Sequence, residues 1–298
     1  MKTIVLTGSH SLLGIALIKT ASANINLVSL LHTRRNTKLN KILYFDITNL
    51  NHCVKIIKKY KPDVTIHAAA LSDVDYCEKN KKMAKSINVV GTKNIIKACK
   101  TYKAKIIFLS SIAVFDGKQK EFTERSISHP INYYGKTKLE AEKMIIQSGL
   151  PFTILRLSMI YGWQPDGARY NPVTWIIEKL INNELTKIVN DVYLNPIYYL
   201  DAAKAIWEII NKNKLGIYNI GGPEVINRYN WMKEIARVFQ YDTSLISPVS
   251  SKYFNKKIAN RPAHAILSIK KMRNDLFKQP LGITDGLIAM KKEMNKPL

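Results

Sequence analysis

The chain has 298 residues, 46% of them hydrophobic, and a formal net charge of +24. It can bury one or two full cores, and its charge raises a nucleic-acid or anionic-membrane surface. However, the lysines spread over every predicted helix and the longest basic runs are pairs such as Lys58-Lys59 and Lys270-Lys271, a pattern of composition rather than of a concentrated basic tract. The three cysteines, Cys53, Cys77 and Cys99, have no metal-ligand spacing and read as reduced thiols of a cytoplasmic protein, with no metal expected. The first apolar run is too short for a signal peptide, and no run reaches membrane-spanning length.

Residues 3–6 read as a short buried strand, Thr7 to Gly14 as a turn carrying Gly8, Ser11, Leu12, Leu13 and Gly14, and 12–23 as a helix. Strand, glycine turn and helix form the context of a dinucleotide fingerprint. Gly8 allows the tight turn, Gly14 allows close helix–strand packing, and a pyrophosphate would rest on the helix N-terminus. Ser11 stands where the middle glycine belongs, so the fingerprint is incomplete. The second strand, 26–31, ends in His32, Thr33, Arg34 and Arg35. No carboxylate is there for a ribose diol. Two guanidiniums suit the extra phosphate of NADP.

A third strand, 41–45, ends at Asp46 and Ile47, and an amphipathic helix covers 51–60. A fourth strand, 64–67, runs into Ala68, Ala69 and Ala70, small enough for a ligand to approach the backbone. A long helix is predicted over 76–101. The apolar run 105–109 is a buried parallel strand that delivers Ser110 and Ser111 to its C-terminal end, where open α/β sheets bind ligands. The βαβαβ alternation to this point predicts an α/β fold with a doubly wound parallel Rossmann sheet.

Tyr134 and Lys138 lie four apart, so a helix places both on one face. Serine, phenol and ammonium then converge on one cleft, as protonation of a carbonyl oxygen requires. Tyr133 lacks a lysine four residues on, and period-2 alternation turns Ser110 to the other side of the strand from Ser111. The same Tyr-x-x-x-Lys spacing at Tyr229/Lys233 and Tyr253/Lys257 follows no buried strand, and both read as surface helix pairs. Downstream, 151–156 is a sixth strand, 163–170 a polar-aromatic loop, Asn171-Pro172 the cap of a helix over 173–182, and 201–211 a last helix of the sheet layer.

Taken in order, these segments resemble the extended short-chain dehydrogenase/reductases, and within them the dTDP-4-dehydrorhamnose reductase family. The resemblance rests on Thr7-Gly8 to Gly14, Ala68 to Ala70 with Val74, Asp75 and Glu78, Asn88 to Thr92, and Val114-Phe115-Asp116-Gly117. It continues through Tyr134 to Lys138, Leu155-Arg156, Tyr161-Gly162, Pro196 to Asp201, Gly216 to Tyr218 and Arg261-Pro262. It implies a catalytic set of Ser111, Tyr134 and Lys138. It implies NADPH, with NADH the alternative, held by Gly8, Ser11, Leu12, Leu13, Gly14, Arg34, Arg35, Asp46, Ile47, Ala68, Ala69, Ala70, Tyr134 and Lys138. A nucleotide-sugar substrate would meet Ser72, Met159, Trp163 and Arg261, the last evenly balanced between a phosphate ligand and a structural salt bridge.

The division implied is a cofactor domain over 1–158 that also receives about 195–222, and a smaller C-terminal substrate-binding domain from 159–194 and 223–298. No membrane is expected as a partner, nucleic acid is not favoured, and a homodimer is left open. The chain departs from the family at Ile112-Ala113, where an Asp-Tyr pair is usual, and at Met159, where Trp is usual. Both changes touch the sugar pocket rather than the hydride machinery. The alternatives are another nucleotide-sugar reductase or epimerase, or a non-catalytic NADP-binding regulatory subunit like the beta subunit of methionine adenosyltransferase.

Overall fold

The structure is a computed structural model and describes residues 1–32, 42–254, 259–277 and 279–294. Its strands are β1 (Lys2–Thr7), β2 (Ile25–Leu31), β3 (Ile42–Tyr44), β4 (Val64–His67), β5 (Lys105–Ser111), β6 (Phe152–Leu157), β7 (Ile160–Tyr161), β8 (Thr186–Val189), β9 (Tyr193–Leu194), β10 (Ile197–Tyr198), β11 (Gly216–Ile220), β12 (Ile226–Asn227), β13 (Ile246–Val249) and β14 (His264–Ala265). Seven of them form one sheet in the order β3-β2-β1-β4-β5-β6-β11, every pair parallel. These strands are runs of Ile, Val and Leu because helices cover both faces of the sheet. The strand order reverses between β1 and β4, which opens a crevice at their C-terminal ends.

The helices are α1 (Leu12–Thr20), α2 (Leu50–Tyr60), α3 (Val74–Lys79), α4 (Lys81–Lys85), α5 (Gly91–Lys100), α6 (Tyr133–Ile146), α7 (Pro172–Ile181), α8 (Tyr199–Asn211), α9 (Arg228–Phe239), α10 (Lys270–Asp275) and α11 (Ile283–Glu293). The remaining short strands pair as β7-β10, β9 with β12 and β14, and β8-β13. A continuous apolar cluster links β1 and α1 through α8 to α7, α9 and α11, so the C-terminal elements stand on the sheet's own core. A second cluster lies beneath α2, α5 and α6. No helix among the described residues is long and apolar enough to cross a membrane.

The long helix expected over 76–101 is broken once and then runs on through a π-helical turn. Asn80 interrupts it between α3 and α4, and Ser86–Val90 forms a π-helical turn before α5. Helical periodicity survives such a turn, so the sequence pattern does not register it. The first helix stops at Thr20 rather than near 23, with Ala21 already extended. Tyr229 and Lys233 do share α9, but Tyr253 lies in a single 3-10 turn, not in a helix pair. Its partner Lys257 lies outside the described residues, as do Arg34 and Arg35.

Candidate active site

β1 ends at Thr7, and Gly8 turns the chain with φ +72°, a left-handed value that a side chain would strain. A Cβ on Gly8 would also stand 2.7 Å from the Ala69 nitrogen. The turn therefore lies directly against the alanine run after β4. Ser11 caps α1 by accepting the Gly14 N–H at 3.0 Å, so the residue that breaks the fingerprint serves as the helix cap. Leu12 and Leu13 open the helix, Leu13 facing the core. His10 donates its Nε2–H to the Asp166 carbonyl at 3.2 Å, and its buried Nδ1 has no hydrogen-bond partner among the described residues. A left-handed glycine, a helix N-terminus and three half-buried alanines meet here, the kind of backbone cradle that suits a dinucleotide's phosphates. On the far side, the Asp46 carboxylate accepts the Thr48 N–H at 2.8 Å and its hydroxyl at 2.7 Å. Burial raises the acid's pKa, but these bonds outweigh it and hold the group below its usual range. Ile47 is buried against Gly91.

The floor of the crevice is a hydrogen-bond chain that sequence reading missed. The His67 ring meets the Thr7 hydroxyl at 2.9 Å through Nδ1 and the Thr92 hydroxyl at 3.0 Å through Nε2. Thr7 already accepts the Ala69 N–H, so it donates to Nδ1. Thr92 already donates to the Asn88 carbonyl, so it accepts from Nε2–H. The imidazole is therefore the neutral Nε2–H tautomer. Burial, then the charge of Lys138, pushes its pKa down to about 3. Asn88, in the π-helical turn, brackets Leu71 with bonds of 2.8 and 3.0 Å and donates to Thr137 of α6 at 3.0 Å. The π turn thus ties the loop after β4 to the helix bearing Tyr134 and Lys138, consistent with the frequent placement of such turns at sites.

Three contacts aim α6. Asn132 caps it at the Gly135 N–H (2.8 Å), and Glu78 accepts the Tyr133 N–H (2.8 Å). Gly135 lets the helix touch the turn after β5, because a Cβ there would lie 2.0 Å from the Ala113 carbonyl oxygen. Tyr134 is thereby brought to Ser111. The Ser111 hydroxyl accepts the Ala113 N–H at 3.2 Å and lies near enough to the phenol to lower its pKa. Burial nonetheless pushes the phenol up to about 12, against the lowering effect of Ser111. Lys138 is buried, with Nζ 4.0 Å from the Phe108 ring centre. Burial drives its pKa down to about 7, against the raising charge of Glu142. The expected depression of the phenol toward neutrality is absent from the protein alone, because desolvation dominates.

Ser110 points the other way. It bonds buried Glu142, which pairs with Arg156 at 2.8 Å. The two adjacent serines therefore serve different networks, one in the cleft and one under α6.

The proposed substrate contacts come from four separate segments of the chain. Ser72 is exposed after the alanine run, and Met159 lies just past β6. The Trp163 indole N–H donates to the Met290 carbonyl at 2.7 Å and packs edge-on against Phe239, so its polar end is committed to α11. Arg261 forms a two-point ion pair with Asp75, at 3.0 and 2.6 Å, the structural half of what was expected of it. Beside it, Arg228 opens α9. Burial, then the charge of Arg261, lowers its pKa, and among the described residues no carboxylate forms an ion pair with it. A guanidinium in this setting favours an incoming anion. Neither its place beside Arg261 nor the reach of Arg169 across the cleft is visible in the sequence, because both join residues distant along the chain.

The comparisons with known proteins agree with this geometry. The chain is 29% identical to a dTDP-4-dehydrorhamnose reductase of Aggregatibacter actinomycetemcomitans over 79% of its length and 82% of that protein's. It is 27% identical to the beta subunit of methionine adenosyltransferase 2 of Rattus norvegicus, over 91% of its own length and 81% of the subunit's. Among solved structures, the dTDP-4-dehydrorhamnose reductase of Bacillus anthracis, in complex with NADP, superposes with a TM-score of 0.88 at 25% identity, covering 98% of this chain and all of that one (100%). The family model described as the RmlD substrate binding domain matches residues 1–295, and the chain belongs to that family.

Proposed function

We propose that the protein is an NADPH-dependent reductase of a 4-keto sugar nucleotide, with dTDP-4-dehydrorhamnose as the leading substrate and dTDP-L-rhamnose as the product. What supports this reading is that Tyr134 and Lys138 stand four residues apart on α6, while Ser111 ends β5 near the phenol at the C-terminal edge of the sheet. The glycine–alanine cradle and the relatives named above support the cofactor and substrate class. When bound, the reduced nicotinamide supplies the hydride to the keto carbon.

Tyr134 gives its phenolic proton to the keto oxygen. At about 12, the phenol is fully protonated at any working pH, which is the state a proton donor requires. Ser111 steadies the developing negative charge and holds the phenol in place. Lys138, in its ammonium form, stabilises the phenolate left behind and holds the cofactor's ribose. The cradle residues Gly8, Ser11, Leu12, Leu13, Gly14, Ala68, Ala69 and Ala70, with Asp46 and Ile47, would seat the dinucleotide, and Arg34 and Arg35 its extra phosphate. On the substrate side, Ser72, Met159, Trp163 and Arg261 line the wall, and Arg228 adds a cation for the diphosphate. The division into a cofactor domain and a smaller substrate domain, with the boundaries given above, is part of the same proposal.

The test is oxidation of NADPH, and separately NADH, with dTDP-4-dehydrorhamnose, run beside Tyr134→Phe. Wild-type turnover with NADPH, lost at least a thousandfold in the variant while NADPH still binds, is the expected result. Undiminished activity in Tyr134→Phe would overturn the mechanism. The methionine adenosyltransferase beta relative keeps a second reading open, a binding subunit without turnover. NADPH binding with no reduction of any keto sugar nucleotide would favour it.

A further inference from the structure

The lip of the cleft carries an arrangement that the reductase reading does not use. The segment 72–75 bears two carboxylates, and each is held by an arginine from the opposite wall. Asp75 takes Arg261 in the two-point pair already described. Asp73 takes Arg169, which reaches across from the loop 163–170. The two pairs are not alike. Arg261 and Asp75 meet through two short bonds, with Ala259 adding its N–H to the same carboxylate. Arg169 touches Asp73 at one point, 3.4 Å, with its side chain 59% exposed, and its other nitrogen reaches the Ser72 carbonyl at 3.5 Å. A single long contact between exposed groups holds a guanidinium only weakly.

The loop itself is anchored independently. His10 meets the Asp166 carbonyl at 3.2 Å, and a turn closes from Ala168 N–H to the Pro165 carbonyl at 3.0 Å. Arg169 is therefore delivered to the cleft by a backbone that does not depend on the Asp73 contact. Asp73 likewise has a separate task, since its other oxygen caps α3 at the Tyr76 N–H, 2.9 Å. Neither partner needs the other in order to stay in place. The charge of Arg169 also reaches the Tyr134 phenol, whose pKa it lowers slightly. Along the lip, three arginines (169, 228 and 261) face two aspartates.

We propose that the Asp73–Arg169 contact is a place-holder: Asp73 parks Arg169 at the mouth of the cleft, and a diphosphate oxygen of the nucleotide sugar takes the carboxylate's place when substrate binds, making Arg169 a further substrate-positioning residue. This rests on the nucleotide-sugar reading above. Exchange is favourable because a phosphate oxygen offers the guanidinium a shorter, charge-assisted bond than the 3.4 Å contact it gives up.

The test is calorimetric titration of dTDP into the full chain preloaded with NADP, for wild type, Arg169→Gln, Arg169→Lys and Asp73→Asn. Asparagine keeps the cap oxygen on α3 and removes the competing charge. The expected results are a dTDP Kd at least tenfold weaker in Arg169→Gln, partial recovery in Arg169→Lys, and a Kd several-fold tighter in Asp73→Asn, with the NADP Kd unchanged throughout. In turnover, Arg169→Gln should raise the KM for the sugar nucleotide about as much as it raises the dTDP Kd, with kcat held within threefold. An Arg169→Gln Kd within twofold of wild type overturns the proposal alone. So does a parallel loss of NADP binding, which would mark a purely structural strap. Weaker dTDP binding in Asp73→Asn overturns the place-holder role. Wild-type protein that binds NADP but no dTDP overturns the nucleotide-sugar reading, and this proposal with it.

Discussion

Lys138 is where burial and function pull against each other. Its ammonium is useful only as a charge beside the phenolate, yet its burial lowers its pKa to about 7. The charge is present below that pH and lost above it. Reduction should therefore fall as pH rises past neutrality, because a neutral amine leaves the Tyr134 phenolate unsupported. The kcat/KM profile between pH 6 and 9, with NADPH saturating, checks this. Lys138→Arg keeps its charge across the range and should lose the alkaline limb, at a cost in rate from altered geometry. A flat wild-type profile would show that the ammonium is not the titrating group. Tyr134 and Lys138 were legible in the sequence because their spacing is local. The lysine's titration was not, because it depends chiefly on burial, here against the Phe108 ring of β5, which only the fold creates.

Helix α6 illustrates how an element can be exact in sequence and silent about its purpose. Its presence was readable from the spacing of Tyr134 and Lys138, but the reason for Gly135 is a contact with a turn in another segment. A Cβ at that position would stand 2.0 Å from the Ala113 carbonyl oxygen. Gly135→Ala gains helix propensity of about 1 kcal/mol, yet it must push α6 away from the turn that carries Ser111. The net expectation is a loss of about 1–3 kcal/mol in stability, as overpacking commonly costs, and a larger fractional loss in kcat because the phenol leaves Ser111. Urea unfolding and single-turnover rates on the same variant separate the two effects. Unchanged kcat would mean that the helix adjusts without moving Tyr134. The π-helical turn Ser86–Val90 belongs to the same class. Its side-chain pattern continues a helix, while Asn88 acts on Leu71 and Thr137, 17 and 49 residues away.

At the scale of the molecule, six of the sheet's seven strands were legible, because buried parallel strands are short apolar runs bounded by turns, whereas β11 was not read as a strand. What joins the strands at the crevice was not, because Thr7, His67 and Thr92 are ordinary residues until β1, β4 and α5 are neighbours. That junction couples the sheet to pH. Unfolded, His67 binds its proton up to about the ordinary imidazole value of 6.5, whereas in the fold burial delays protonation to about pH 3. Between those values the unfolded chain holds the extra proton, so stability falls as pH drops through the window. From pH 6.5 to 5, above the range where ordinary carboxylates titrate, the loss should approach roughly 2 kcal/mol. His67→Gln keeps one donor and one acceptor for the two threonines but cannot take up the proton. It should begin less stable at pH 7, by the cost of imperfect hydrogen bonds, and lose much less on acidification to pH 5. Urea midpoints of both proteins at pH 7 and pH 5 decide the matter. Equal losses in the two proteins would place the acid sensitivity outside the junction of β1, β4 and α5.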